Sequence, residues 1–245
     1  MRTYLFILTL ILCATAFGQN ETQRLTISHL TKNFYIYTTF GDAGNGYMFP
    51  ANGMYLVTVK GVVLFDTPWD TTQFQPLLDS IKTRHNLNVI MCISTHFHND
   101  RTAGLNYYKQ KGIRTFTTKQ TDDLSKEKNE PRAEYLIYQD TTFNLGQNSF
   151  ETFYPGKGHS PDNIVIWFGK EKILYGGCFI KSTETESPGN LSDANINEWI
   201  ISVKRVQAKF DKPNYIITGH QDWTSKNSLT HTLKLLKKYK RKNSH

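Results

Sequence analysis

Two histidines and an aspartate at alternate positions follow an apolar run in the middle of the sequence. His96, His98 and Asp100 come just after residues 89–93, which read as a buried strand. Side chains at positions i, i+2 and i+4 of an extended segment share a face, and a bend after the strand would let them converge. Imidazole and carboxylate groups in this pattern are typical of a metal site, although a polar loop with two ordinary histidines also fits the stretch alone.

Three more candidate ligands lie further along the chain, and each stands beside a glycine. They are His159, Cys178 and His220. Glycine lets the backbone turn sharply or approach a site closely. Six ligands of these types suit two divalent metal ions, one of them in an open site of three imidazoles and a water. Thiolate and imidazole together favour zinc over magnesium or calcium.

The elements that must position these residues are strands followed by helices in each half of the chain. Short apolar runs separated by turns predict strands within residues 34–66 and 134–175, and apolar residues at helical spacing predict helices over 71–85, 197–210 and 229–239. Two facing mixed β-sheets with helices on the outer faces explain this order better than a doubly wound parallel sheet, in which strand and helix alternate regularly. The sequence therefore predicts an α/β protein with two sheets.

A glycine-rich stretch from Thr39 to Gly46 separates two of the predicted strands. It contains one aromatic residue, Phe40, which is predicted to be exposed. Such a stretch is either a simple hairpin tip or a mobile flap over a functional site. The second interpretation makes Phe40 a flap residue.

The 245-residue chain has an excess of basic residues, with 29 Lys and Arg against 21 Asp and Glu and a formal net charge of +8. Part of the excess lies in residues 234–242, where it is typical of the solvated face of a last helix. No basic stripe with interleaved aromatic residues occurs elsewhere in the sequence, so nucleic acid is not predicted as a partner. An aromatic content of 13% and a charged content of 20% are those of a globular protein.

The first 18 residues have the features of a secretory signal peptide. Arg2 precedes an apolar run over residues 5–12, and small residues follow. The run is too short to cross a bilayer, which takes about 20 residues. Export to the periplasm is therefore predicted, without stable membrane insertion after cleavage. Cys13 offers a lipoprotein alternative, which is disfavoured because the large residue Leu12 precedes it.

Only two cysteines, Cys92 and Cys178, remain after removal of the signal peptide. In an exported protein the simplest expectation is a disulfide between them. Cys92 lies within an apolar strand and is more typical of a small core residue, which leaves Cys178 as a free thiol. Metal coordination explains such a thiol, because a coordinated thiolate is protected from oxidative pairing.

Five motifs in combination resemble the subclass B1 metallo-beta-lactamases across essentially the whole mature chain. They are His-x-His-x-Asp followed by Arg101, Gly-x-Gly-His-Ser-Pro-Asp-Asn at 156–163, Gly-Gly-Cys-Phe-Ile-Lys-Ser at 176–182, Gly-Asn-Leu-Ser-Asp-Ala-Asn at 189–195 and Gly-His at 219–220. The resemblance implies a single domain over residues 19–245 with the four-layer αβ/βα sandwich of that family. It also implies zinc-dependent hydrolysis of the β-lactam amide bond of penicillins, cephalosporins and carbapenems by a metal-bound hydroxide. No covalent acyl-enzyme forms in that reaction, and the outcome is antibiotic resistance.

The same resemblance implies a role for each candidate residue. The first zinc ion is bound by His96, His98 and His159, and the second by Asp100, Cys178 and His220. Asp100 is in addition implied to be catalytic, and Phe40 belongs to the flap. Lys181 is implied as the anchor of the substrate carboxylate, the alternative being an exposed lysine at a strand end. Asn190 is implied to lie near the lactam carbonyl, the alternative being a turn residue after Gly189.

Two alternatives to β-lactam hydrolysis stay open. Thioester hydrolases of the glyoxalase II type share the wider superfamily, but they have His after the motif Asp and a bridging Asp in place of the cysteine. This chain has Arg101 and Cys178 at those positions. A non-catalytic exported zinc-binding protein would have closed metal sites, whereas six ligands over two metals leave room for a water. A monomer is predicted, since the sequence has no strong interface signal.

Overall fold

Two β-sheets lie face to face at the centre of the molecule. The computed structural model describes residues 25–44 and 46–243, and the predicted signal peptide, with Cys13, lies outside these ranges. The strands are β1 (Thr26–Thr31), β2 (Phe34–Asp42), β3 (Met48–Thr58), β4 (Gly61–Phe65), β5 (Val89–Ile93), β6 (Arg114–Thr118), β7 (Tyr135–Ile137), β8 (Thr142–Leu145), β9 (Asn148–Phe153), β10 (Val165–Phe168), β11 (Ile173–Gly177) and β12 (Tyr215–Thr218). The helices are α1 (Phe74–His85), α2 (Asn99–Thr102), α3 (Leu105–Gln110), α4 (Lys119–Lys128), α5 (Ile196–Lys209) and α6 (Ser228–Lys242).

Each sheet mixes antiparallel and parallel neighbours. The first has seven strands in the order β1-β2-β3-β4-β5-β6-β7, and the second has five in the order β12-β11-β10-β9-β8. Strands β4 to β7 run parallel, as do β11 and β12, and the other neighbours are antiparallel. Parallel neighbours need crossover connections, which here contain α1, α2 with α3, α4 and α5. The predicted pair of mixed sheets is confirmed.

Strand β4 shows how the sequence fills the layers. Val63 and Phe65 belong to the apolar core between the two sheets, whereas Val62 and Leu64 pack with residues of α1 and α3 on the other face. All four side chains are fully buried. A strand covered on both faces needs apolar residues at every position, which explains why this run lacks the usual polar alternation.

The second sheet is covered on its outer face by α5 and α6. Trp199 and Val203 of α5 pack with Leu236 of α6 and with Leu174 of β11. Full burial of each such side chain stabilises the fold by about 1.5–3 kcal/mol. Helices thus lie outside both sheets, and the predicted four-layer αβ/βα sandwich is confirmed. In the described ranges, none of the helices has the length and apolar composition that crossing a bilayer requires.

Both groups of parallel strands deliver polar residues to one edge of the sandwich. Asp66 follows β4, Ser94 follows β5, Cys178 follows β11 and Gly219 follows β12. Parallel neighbours end at the same edge of a sheet. A backbone hydrogen bond of 2.8 Å from the Asn52 N–H to the Gly219 carbonyl joins the two sheets here. The fold therefore gathers the candidate ligands at this edge.

The hairpin of β2 and β3 differs from its prediction. Strand pairing continues to Asp42 and Met48, so Phe40 lies inside β2 and is half-buried. The Phe40 N–H donates to Gln73 Oε1 at 3.0 Å, and Gln73 Nε2 donates to the Phe40 carbonyl at 2.7 Å. The prediction that Phe40 is the exposed aromatic residue of the stretch is wrong, because backbone pairing extends the strands through the glycine-rich sequence. Tyr47, with 64% of its surface exposed, lies near the turn instead.

Cys92 and Cys178 are both buried and both free. The Cys92 side chain packs on the α1 side of β5, and its Sγ lies 3.5 Å from the Asp66 carbonyl. The disulfide alternative is therefore wrong, and Cys92 is a core residue as predicted.

Candidate metal centre

Three imidazole nitrogens meet beyond the end of β5. The Nε2 atom of His96 lies 3.2 Å from Nδ1 of His98, and that Nδ1 atom lies 3.1 Å from Nε2 of His159. His96 and His98 belong to the bend between β5 and α2, and His159 belongs to the loop between β9 and β10. One nitrogen of each ring lies within 4.8 Å of the other two. We call these three residues the histidine cluster.

Asp100, Cys178 and His220 form a second group, which we call the mixed cluster. The Cys178 Sγ lies 3.4 Å from Asp100 Oδ2 and 3.2 Å from His220 Nε2, and the last two atoms are 3.1 Å apart. Ligand atoms of His96, Asp100 and Cys178 also lie within 4.8 Å of one another, so the two clusters adjoin. The structure brings all six predicted ligands together, and their division between two metal ions stays a prediction.

Hydrogen bonds behind the rings fix which nitrogen carries the proton. The Nδ1 atom of His220 lies 2.7 Å from the Pro50 carbonyl, which only accepts, so Nδ1 is protonated and Nε2 presents a lone pair to the mixed cluster. The Nε2 atom of His98 lies 3.0 Å from Asp193 Oδ2, which leaves Nδ1 as the lone pair towards the histidine cluster. Lone pairs and a carboxylate that converge in this way suit a cation. The donor set therefore fits metal ions.

A fully buried arginine supports the mixed cluster. Arg101 donates from Nε to Asp100 Oδ2 at 3.0 Å and from Nη2 to the Gly219 carbonyl at 2.8 Å. Its Nη1 donates to the Asn52 carbonyl at 2.7 Å and lies 3.4 Å from Asp66 Oδ2. One guanidinium thus joins both sheets and neutralises two buried carboxylates, which would otherwise be costly to bury.

Asp66 connects this arginine to the segment that carries the histidines. Its carboxylate accepts from the Thr95 N–H at 2.7 Å, from the Thr95 hydroxyl at 2.9 Å and from the Tyr175 hydroxyl at 2.6 Å. Its own backbone has a φ of 65°, which non-glycine residues rarely adopt. Asp66 was not among the predicted site residues, although it follows a buried strand just as His96 does.

A cavity of about 390 Å³ opens onto both clusters. His159, Cys178 and His220 line it from the clusters, and Phe49 lines it from β3. Its volume is in the range typical of small-molecule sites, roughly 300–1,000 Å³. The cavity therefore offers a small ligand access to both clusters.

Both predicted substrate-binding residues also line this cavity. The Lys181 Nζ lies 5.3 Å from the centre of the Trp199 ring, at cation–π distance. The Asn190 Oδ1 accepts the Ser192 N–H at 3.0 Å, as expected for the turn-residue alternative. Because only Oδ1 is used in that turn, the Asn190 amide nitrogen is left to donate elsewhere. Phe40 does not line the cavity.

Comparison with known proteins decides the family. The sequence model of the metallo-beta-lactamase superfamily matches residues 47–220. A metallo-beta-lactamase type 2 of Elizabethkingia meningoseptica is 44% identical over 227 residues, which cover 93% of this chain and 90% of the relative. This chain belongs to the metallo-beta-lactamase superfamily.

Further relatives agree with this assignment. Metallo-beta-lactamase IND-1 of Chryseobacterium indologenes is 40% identical over 209 residues, which cover 85% of this chain and 87% of that protein. The crystal structure of metallo-beta-lactamase IND-7 has a TM-score of 0.84 at 38% identity and covers 89% of this chain and 100% of its own. The metallo-beta-lactamase recognised from its motifs is confirmed, and with it a hydrolase of class B and a divalent metal.

The protonation states in this metallo-beta-lactamase favour metal binding at neutral pH. Burial lowers the pKa of His96 and of His159 well below the usual range, so both rings are neutral. Burial also lowers the pKa of His220. Burial alone would raise the pKa of Asp100, but the Arg101 guanidinium and His220 hold it well below its usual range. Neutral imidazoles and an ionised carboxylate are the forms that coordinate metals.

Cys178 differs from the other ligands in this respect. Burial raises the pKa of its thiol, and the neighbouring Arg101 opposes the shift only in part. The residue is therefore protonated in the absence of a metal. Since a metal binds the thiolate, coordination must displace one proton from Cys178.

Asp193 is the functional neighbour that the sequence did not reveal. It lies in the loop before α5, where its Oδ2 accepts from His98 Nε2 and from the Ser192 hydroxyl, both at 3.0 Å. A carboxylate behind a ligand histidine fixes the orientation of the ring and raises its basicity. Asp193 lies within the recognised motif at 189–195, but nothing in that motif pairs it with His98.

Proposed function

We propose that this chain hydrolyses the amide bond of β-lactams with two zinc ions. The observation that carries this proposal is that six ligand residues form two adjoining clusters, and that His159, Cys178 and His220 of these clusters line one cavity of about 390 Å³. His96, His98 and His159 would hold the first ion, and Asp100, Cys178 and His220 the second. Zinc in such sites supplies a water acidified to a pKa of about 7 and a Lewis acid for the carbonyl oxygen.

The residues around the clusters bind and orient the substrate. Lys181 provides an ammonium group for the carboxylate that β-lactams carry, and Trp199 holds this ammonium in place from behind. Burial lowers the pKa of Lys181 because desolvation disfavours its charge, and an anionic substrate would restore that charge balance. The Asn190 amide nitrogen, which is not used in its own turn, is proposed to donate to the lactam carbonyl.

Asp100 is proposed as a catalytic residue in addition to its role as a ligand. Its carboxylate is ionised at neutral pH because Arg101 and His220 lower its pKa. An ionised carboxylate can accept a hydrogen bond from the attacking water and orient it, although a pKa this low makes Asp100 a weak base. No serine nucleophile is needed in such a reaction, so no covalent acyl-enzyme should form.

Turnover of a carbapenem, a penicillin and a cephalosporin by the purified mature protein tests this function. We expect hydrolysis of all three, loss of activity with a chelator and recovery with zinc but not with magnesium. Mass spectrometry during turnover should detect no protein adduct. Absence of turnover in protein that binds two zinc ions would contradict the enzyme function.

The Cys178→Ser variant tests the ligand assignment. We expect it to fold and to bind one zinc ion tightly instead of two, since it lacks the thiolate of the mixed cluster. Cys92→Ala is the matched control, because Cys92 is the other buried free cysteine and lies on the α1 side of the sheet. It should keep two zinc ions. Two tightly bound ions in Cys178→Ser would show the assignment to be wrong.

The thioester-hydrolase alternative is tested with the same protein. We expect no turnover of a glutathione thioester, because the residue after Asp100 is an arginine buried in an ion pair and not a further histidine ligand. Thioester hydrolysis at a rate comparable to that of β-lactams would favour the glyoxalase II type of function.

We further propose that the protein is exported to the periplasm and is a monomer. The signal-like residues 1–18 support secretion to the periplasm, and amino-terminal sequencing of the exported protein should find cleavage after Ala16 or Gly18. Lipid attached to Cys13 would contradict a soluble product. Light scattering should give the mass of one chain.

A further inference from the structure

One side of the cavity is tied to the last helix. The cavity is lined by several residues of the segment Lys181–Asn190. The Thr232 Oγ1 of α6 accepts the Lys181 N–H at 2.8 Å. The next residue back, His231, has its Nε2 atom 2.9 Å from the Thr185 carbonyl. Two adjacent helical residues thus hold the beginning and the middle of the substrate-binding segment.

The chemistry of these contacts makes α6 a fixed support. A carbonyl only accepts, so the His231 Nε2 carries a proton and donates it to Thr185. The Thr232 hydroxyl donates in turn to the Ser228 carbonyl of the same helix at 2.7 Å. The helix itself is anchored by Leu236, which is fully buried against the second sheet. The segment is therefore attached to a rigid element.

The remainder of the segment depends mostly on local bonds. The Thr185 hydroxyl donates to the Ser187 carbonyl at 2.9 Å, and the Gly189 N–H donates to the Ser187 hydroxyl at 3.0 Å. In the described part of the chain, two hydrogen bonds join residues 183–190 to more distant elements. One is the His231 bond, and the other runs from the Asp222 N–H to Glu184 Oε2 at 3.0 Å.

We propose that His231 is a positioning residue for the substrate. Its hydrogen bond to the Thr185 carbonyl holds Lys181 and Asn190 at the spacing that binds a β-lactam, although His231 itself does not line the cavity. The inference rests on the proposed β-lactam hydrolysis. Because the bond acts on the substrate-binding segment and not on the ligand clusters, it should affect KM and leave kcat and zinc binding unchanged.

Kinetics of His231 variants test this role. We expect His231→Leu to raise KM for a β-lactam about three- to tenfold, the effect of losing one hydrogen bond, with kcat within about twofold of wild type. His231→Gln should restore KM, since its amide nitrogen reaches about as far as Nε2. His231→Asn should not, because its amide is too short. Zinc content should stay at two ions throughout.

The chain offers a matched control in His29. Its Nε2 atom also bonds to a backbone carbonyl, that of Lys32, at 2.8 Å, but it lies on the edge strand β1 away from the cavity. His29→Leu removes the same type of bond and should leave KM unchanged. An equal rise of KM in both variants would overturn the proposal, because it would show a general structural effect.

Hydrogen exchange gives a second readout that does not need activity. Peptides that cover residues 183–190 should exchange faster in His231→Leu than in wild type and at the wild-type rate in His29→Leu. Unchanged exchange and unchanged KM in folded His231→Leu would overturn the proposal, and His231→Asn replaces that variant if it does not fold. If the wild-type protein turned over no β-lactam, the proposed function would fail and the exchange experiment alone would decide the role of His231.

Discussion

The histidine cluster and the mixed cluster are held by different kinds of structure. The mixed cluster rests on Arg101 and Asp66, which are both almost wholly buried and bridge the two sheets. In the histidine cluster, His96 and His159 are buried, but His98 depends on a loop residue, since its partner Asp193 is 28% exposed. The support of the mixed cluster is therefore part of the folded core, whereas the carboxylate behind His98 lies at the surface.

The buried support should act mainly on the stability of the fold, and the loop carboxylate mainly on the orientation of a ligand. Buried charges that lose a partner destabilise the whole fold, because desolvation is no longer compensated. A partly exposed carboxylate behind a ligand can be replaced by water, so its loss acts mainly on the metal. The two regions should therefore respond to mutation in different measurements.

The largest effect is expected for Arg101→Met. This change leaves Asp66 and Asp100 buried without their common cation, and it should lower the free energy of unfolding by about 3–5 kcal/mol. Urea denaturation of the metal-free protein measures it without interference from zinc. Lys119→Met is the control, since Lys119 also pairs with a carboxylate, that of Asp123, but both of these side chains are exposed, by 46% and 59%.

The control should lower the free energy of unfolding far less, as is usual for a solvent-exposed ion pair. Equal losses in the two variants would contradict the view that the mixed cluster is part of the folded core. In that case the buried Arg101 would stabilise the sandwich no more than the cation of an exposed ion pair does.

The ligands of both clusters were predictable from the sequence, whereas the carboxylates behind them, Asp66 and Asp193, were not. Cys178 and His220 each follow a buried strand and stand beside glycine, and Arg101 directly follows Asp100 in the sequence. The hydrophobic pattern predicts where a strand ends, so the position of a residue just after that end can also be predicted. The two-sheet architecture followed from the same pattern.

Loop residues were harder because the hydrophobic pattern does not determine their path. Asp193 lies 95 positions from His98, and no periodicity connects the two. Phe40 was misplaced for a related reason, because backbone pairing carries β2 beyond its apolar residues as far as Asp42. Such contacts depend on tertiary structure that a single sequence does not encode in its local pattern.

Removal of the loop carboxylate should give the next largest effect. Asp193→Ala should weaken zinc binding at the histidine cluster about 10- to 100-fold, since His98 loses the group that orients its ring. Asp193→Asn keeps an acceptor oxygen and should show a smaller loss. Competition with a chromophoric chelator measures both affinities.

Asp211→Ala serves as the control. Asp211 is also an exposed aspartate near α5, but it is not part of the metal centre. It should bind zinc as the wild type does. A fall in unfolding free energy for Asp193→Ala as large as that for Arg101→Met would mean that the two regions do not differ in kind.

The smallest effect is expected for the pH dependence of zinc affinity, because only the mixed cluster must release a thiol proton when zinc binds. The His96 and His159 rings are neutral at pH 7 because burial lowers their pKa, so zinc displaces no proton from them. Burial raises the pKa of Cys178, so zinc must displace its thiol proton at any pH below that pKa. Between pH 7.5 and 6.5, the affinity of the second zinc ion should therefore fall about tenfold, since one proton is released per ion bound.

Competition titrations of wild type report on both ions, and the same titrations of Cys178→Ser report on the histidine cluster alone. A slope in Cys178→Ser as steep as that of the second ion in wild type would show that the proton comes from elsewhere, and the chemical distinction between the clusters would be lost.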